Sequence, residues 1–116
     1  MIKLESLKKN SHFRKTLKEK KVHTDFFSVF AIKNFLPKKN NNILFISFVM
    51  KKKIGNAVKR NKIRRKLKAI VQKLLKKRGA ISKDYTYIVF GKSNAYLQKQ
   101  SVLMPLMEKS FDKIKN

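Results

Sequence analysis

Between Lys51 and Lys68 the chain reads KKKIGNAVKRNKIRRKLK, and its residue types suit one kind of chemistry, the binding of phosphate and bases. Lysine neutralises phosphate as a point charge, arginine offers a planar fork that matches phosphate and base edges, and asparagine carries a donor and an acceptor on one amide. Arg60, Arg64 and Arg65 are three of the five arginines in the 116 residues. A general bias towards lysine would not gather them there. At about 100° per residue, Ile63, Leu67, Ile70 and Leu74 form a narrow apolar stripe that must face a core. Asn61, Arg64, Arg65 and Lys68 then fall on an adjacent arc, with Arg60 beside the stripe near the helix start. Lys51, Lys52 and Lys53 lie where a strand runs into this helix, and Gly55 lets the backbone turn and approach phosphate near the helix N-terminus. The segment reads as one continuous cationic ledge.

Charge across the whole chain points the same way. Thirty-one Lys and Arg against six Asp and Glu give a net charge of +25, well beyond what solubility requires of a small domain. A polyanion would relieve that self-repulsion, so nucleic acid is the natural partner, with an anionic membrane surface as the electrostatic competitor. No carboxylate occurs between Phe26 and Lys83, which leaves the middle of the chain purely cationic. The absence of cysteine removes disulfides, cysteine-ligated zinc and thiol catalysis. His12 and His23 stand eleven residues apart with no carboxylate set to complete a metal site, and both read as surface residues. No paired carboxylates, activated nucleophile or phosphate-cradling glycine loop marks a protein active site. The longest apolar run, Ile43 to Met50, suits a strand and is too short to span a membrane. With no apolar signal core at the N-terminus, a cytoplasmic protein is expected.

The elements needed to position the ledge follow from periodicity. Residues 1–10 read as a flexible basic lead-in to one domain spanning residues 1–116, and Ser11 is the expected N-cap of a short helix reaching about Lys20, with Phe13 and Leu17 one turn apart. A strand follows from Asp25 to about Leu36, then a loop at PKKNNN, and a second strand at Ile43 to Met50 is expected to pair with the first as a hairpin. The principal helix opens at Gly55 and Asn56 and stops near Lys77, Arg78 and Gly79. Asp84 to Gly91 is the third strand. Leu103, Leu106, Met107, Phe111 and Ile114 mark a last helix, with Pro105 tolerable in its first turn. The expected fold is α+β, an α-β-β-α-β-α sandwich of a small sheet with helices. Ile46, Phe48 and Met50 share one strand face and Phe45, Ser47 and Val49 the other. Either helices cover both faces, or one is an open platform on which single-stranded bases stack.

At Lys52 to Leu67 the chain resembles the RNR signature, KKxGxAVxRNxxRRxL, of the protein subunit of bacterial ribonuclease P. The likeness continues as pattern over nearly the whole chain, in its length, a Phe-bearing basic helix, a hydrophobic strand running into the signature, and a final strand and helix. The resemblance implies a left-handed βαβ crossover, the fold of one domain of a small-subunit ribosomal protein, contrary to the usual right-handed rule. It also implies that the RNA subunit and its Mg²⁺ ions carry the endonucleolytic chemistry. By position, Lys52, Lys53, Arg60, Asn61, Arg64, Arg65 and Lys68 would contact that RNA. Phe13, Arg14 and Phe30, with Phe45, Ser47 and Val49 nearby, would line the path of the precursor-tRNA 5′ leader. Lys51 stands where Ser is common in the family, Leu17 where a second aromatic often occurs, and Lys20 or Lys21 where a glycine often closes the helix. Partners implied are the ribonuclease P RNA and precursor tRNA, with no membrane and no obligate protein partner.

Three other classes compete on the same residues. A structural, ribosomal-type RNA-binding protein shares the charge without needing the RNR spacing. A helix-turn-helix DNA binder needs two short helices around a tight turn, and a protein-only nuclease predicts cleavage without RNA.

Overall fold

The structure, a computed structural model, describes residues 2–38 and 41–115. Eight main elements follow in order: β1 (Lys3–Glu5), α1 (Asn10–Leu17), β2 (Lys20–His23), β3 (Phe27–Lys33), β4 (Ile43–Val49), α2 (Ala57–Leu74), β5 (Tyr85–Gly91) and α3 (Gln100–Lys115). Short 3₁₀ turns at Lys52–Ile54 and Ser93–Ala95 precede α2 and α3. The fold is mixed α+β, as expected. It has five strands, however, in the order β1-β4-β5-β3-β2.

The expected hairpin between the second and first strands does not form. β5 lies between them, antiparallel to β3 over seven register pairs and parallel to β4. The reason is burial: β5 is apolar on both faces and almost wholly buried, and such a strand gains most at the centre of a sheet. The connection from β3 to β4 therefore spans β5 rather than turning back. Residues 39 and 40 of the expected loop lie outside the described residues.

The ends of the chain also depart from expectation. Lys3–Glu5 pairs in parallel with β4, so the lead-in is part of the sheet rather than a free tail. Helix α1 starts two residues earlier than expected, with Lys9 rather than Ser11 at the N-cap and no side-chain cap. Its C-terminal end is short of Lys20 because Lys20 to His23 pairs with β3, and Lys20 Nζ donates to the Ile114 carbonyl at 2.7 Å and to the Tyr85 hydroxyl at 3.2 Å. Pairing and these bonds override helical preference in that segment. Pro105 is the sixth residue of α3, beyond the first turn. Its missing N–H leaves the carbonyl of Ser101, an exposed residue, to water.

Two apolar layers flank the sheet. On one face, Ile63, Leu67, Ile70, Val71 and Leu74 of α2 and Leu103, Met107, Phe111 and Ile114 of α3 pack on Leu44, Ile46, Val29, Tyr87 and Val89. Full burial of each such side chain contributes about 1.5–3 kcal/mol. On the other face, Leu7, Ile43, Phe45 and Ile88 form a smaller cluster that Phe13 and Leu17 of α1 cover in part. Helix α1 ends at Leu17, which borders the end of the sheet where Phe30 and Phe90 stand half-buried. The second face is thus half closed and half open, between the two alternatives posed by the strand pattern.

Candidate RNA interface

Helix α2 begins where its sequence predicts. The Asn56 side chain accepts from the Lys59 backbone N–H at 2.9 Å, which satisfies one of the orphan donors of the first turn. Gly55 has φ +153° and ψ −162°, a backbone region open in practice to glycine alone. A Cβ there would lie 2.9 Å from Lys59 Cδ. This joint turns the chain sharply from the Lys52–Ile54 3₁₀ turn into α2, and it brings Lys52 and Lys53 to the helix N-terminus.

Along α2 the buried stripe is the expected one, and Asn61, Arg65 and Lys68 are exposed beside it. Arg64 Nη1 donates to Asn61 Oδ1 at 2.6 Å. The amide therefore orients one guanidinium outwards from the flank, leaving its remaining N–H groups for a ligand. Arg60 Nε donates to the Asn56 carbonyl at 3.4 Å, which keeps it at the helix start.

The cationic ledge is not continuous. Lys59, Lys62 and Lys66 lie on the opposite flank and turn towards the Ser93–Gln98 segment. Lys66 Nζ donates to three carbonyls, those of Ala95, Tyr96 and Gln98, at 3.0, 2.8 and 2.6 Å. Burial, and secondarily Lys62, lower its pKa below the ordinary lysine value. Lys59 Nζ donates to Ser93 Oγ at 2.9 Å, and the Lys59 and Lys62 ammonium groups sit 5.3 and 4.9 Å from the Tyr96 ring centroid. Lys66 clamps a loop to the helix. Arg64, Arg65, Asn61 and Lys68 remain as the flank presented to solvent.

The open end of the sheet forms a cleft of about 660 Å³ lined by Leu17, His23, Ser28, Phe30, Lys51, Lys53, Ile54, Phe90, Gly91, Lys92 and Ser93. Its floor is aromatic. Phe30 meets Phe90 edge to face at 5.4 Å between centroids, and the Lys51 ammonium stands 5.6 Å from the Phe90 centroid. Apolar rings flanked by lysines can hold single-stranded nucleotides, bases against rings and phosphates against ammonium groups. Because Lys51 and Lys53 lie in the turn that leads into α2, cleft and helix flank adjoin.

Of the residues expected to line a leader path, Phe30 lies in this cleft. Phe45 and Ser47 do not: they are 9% and 4% exposed, and Ser47 Oγ accepts from the Leu7 backbone N–H at 2.8 Å. The segment after β1 closes over that part of the face, which a reading of residues 1–10 as a free lead-in could not anticipate. Phe13 is half-buried in the small cluster beside Phe45 and Ile88. Arg14 is exposed in the last turn of α1. Val49 is half-buried opposite Phe90 in register. Phe90, His23, Ser28, Lys51 and Lys92 are cleft residues that sequence reasoning missed. Alternation along β5 was the available signal for Phe90, since it places Ile88 and Phe90 on the face opposite Tyr87 and Val89.

A family model described as Ribonuclease P matches residues 1–115. The chain is 30% identical over 109 residues to the ribonuclease P protein component of Mycoplasma capricolum subsp. capricolum, with 94% of each chain covered. It is 32% identical over 83 residues to the corresponding component of Mycoplasma mycoides subsp. mycoides, with 72% of each covered. The ribonuclease P protein from Thermotoga maritima has the same fold, with a TM-score of 0.75 at 21% identity over 97% of this chain and 99% of that one. With the family model matched over residues 1–115 and a relative 30% identical over 94% of each chain, the chain belongs to the ribonuclease P protein family.

Proposed function

We infer that the chain is the protein subunit of a ribonuclease P ribonucleoprotein and assists the 5′ maturation of tRNA in the cytoplasm. The observation that carries this reading is the RNR spacing on the exposed flank of α2 in a chain of this family. In it, Lys52, Lys53, Arg60, Asn61, Arg64, Arg65 and Lys68 grip the RNA subunit, lysines neutralising phosphate and Asn61 with the arginines giving directed bonds. The adjoining cleft, with Phe30 at its floor and Arg14 and Phe13 on the nearby helix, takes the single-stranded 5′ leader of precursor tRNA. One RNA surface docks the protein, and the other holds substrate.

The reacting groups in this reading belong to the RNA. Among the described residues no three His, Asp or Glu side chains converge, and this reading assigns the metal to the RNA. RNA phosphates would hold the Mg²⁺, which supplies the activated water and stabilises charge at the scissile phosphate. The protein's part is to neutralise RNA charge near that site and to place the leader.

Reconstitution with a ribonuclease P RNA at limiting Mg²⁺ tests the reading. Added protein should restore 5′ cleavage of precursor tRNA, and no rescue would sink the reading in favour of a ribosomal-type RNA binder. Phe30→Ala separates the two surfaces. It should weaken binding of precursor relative to mature tRNA while leaving assembly with the RNA subunit near its starting affinity.

A further inference from the structure

We propose that His23 is a pH-dependent phosphate contact in the cleft, held by Ser28 and taking up a proton when single-stranded RNA binds. The proposal rests on the cleft being the leader site, and it adds a residue and a regulation to that site.

The geometry is specific. His23 ends the edge strand β2, opposite Ser28 in register, and its Nδ1 lies 2.7 Å from Ser28 Oγ. Ser28 is 4% exposed, so this bond satisfies a hydroxyl that water scarcely reaches. The ring meets Phe30 edge to face, 5.7 Å between centroids at 82°. Two neighbours therefore fix the imidazole, although the residue itself is exposed. With Nδ1 committed to Ser28, Nε2 is the nitrogen available to a ligand. His23, Phe30 and Phe90 make a row of three rings along the cleft, and a nucleotide lying on that row brings its phosphate near one end of it.

The charges around the ring give the coupling its sign. Lys51 and Lys53 face the cleft from the turn after β4, and Lys92 from the end of β5. Lys21 lies on the same strand as His23, and no carboxylate lines the cleft. The charged side chains that line the cleft are thus all cationic. A phosphodiester reverses the local field and accepts a hydrogen bond from Nε2–H, which favours the imidazolium. Histidine is the cleft group whose charge ordinarily changes between about pH 5 and 8. Proton uptake and RNA binding are then linked, and affinity rises as pH falls.

The test uses the holoenzyme assembled with its RNA subunit, in Ca²⁺ to slow cleavage, and matched tRNAs with and without a 5′ leader. The ratio of their Kd values isolates the leader increment from pH effects elsewhere. In the wild type this ratio should grow as pH falls from about 8 to about 5.5, by up to about tenfold. H23Q should give a flat, low profile. H23K, charged throughout, should give a flat and high one. A rise that persists in H23Q, or a discriminating wild type whose ratio ignores pH, overturns the role of His23. A wild-type ratio of one at every pH overturns the leader-site reading itself and takes this inference with it.

Discussion

Individual side chains of α2 that look equivalent in the sequence do different work. Arg64 is half-buried and oriented by Asn61, whereas Lys66 is spent on three loop carbonyls. Both are basic residues of one helix, two positions apart, on opposite flanks. Charge alone would count them together. The difference predicts which of them titrates salt-dependent RNA binding. The double variant Arg64→Ala, Arg65→Ala should lower affinity for the RNA subunit and reduce the magnitude of the log affinity against log salt slope by about 1.4–1.8, as two lost phosphate contacts require. Lys66→Met should leave that slope unchanged. An unchanged slope in the double variant, measured by filter binding across a salt series, would remove these arginines from the phosphate contacts.

Elements matter here through the joints between them. Helix α2 can lie close on β5 because Gly91 has no side chain: a Cβ at that position would overlap Met50 Sδ and lie 2.9 Å from Ile63 Cγ2. Gly91→Ala should therefore overpack the junction of β4, β5 and α2 and destabilise the protein by about 1–3 kcal/mol. Met50→Ala in the same chain should recover part of the loss. Urea unfolding midpoints check both, and a Gly91→Ala midpoint equal to that of the wild type would contradict the packing argument. Gly91 also lines the cleft, so this joint sets the distance between the aromatic floor and the cationic turn beneath α2.

For the molecule as a whole, charge is the dominant quantity. Among the described residues the ion pairs are Lys3–Glu5, Lys77–Glu108 and Asp112–Lys115, and none involves the cations of the Lys51–Lys68 segment. The net charge of +25 is thus scarcely relieved within the fold. Raising NaCl from about 50 mM towards about 500 mM should screen this repulsion and raise the Tm of the isolated protein. The same salt should weaken its complex with RNA. Opposite responses distinguish repulsion within the protein from attraction to its partner. A Tm that fell with salt in the same series would mean that attractive pairs outweigh the excess charge.

Much of the interface was legible in the residues alone. The buried stripe of α2, the Asn56 start, the Gly55 turn and the exposed positions of Asn61, Arg65 and Lys68 all follow from local rules, because helical period and capping depend on near neighbours. The place of the last strand did not follow. Nothing near Tyr85–Gly91 states that it will lie between β3 and β4, since strand order is settled by which faces must be buried once every element is present. The cleft depends on the same long-range choice. Putting β5 beside β3 brings Phe90 to Phe30, and the pairing of β2 brings His23 to Ser28. Pairing β1 with β4 lays Leu7 over Phe45 and Ser47 and removes them from the site. The cationic helix was written in local sequence, while the aromatic cleft beside it exists through contacts between residues far apart in the chain.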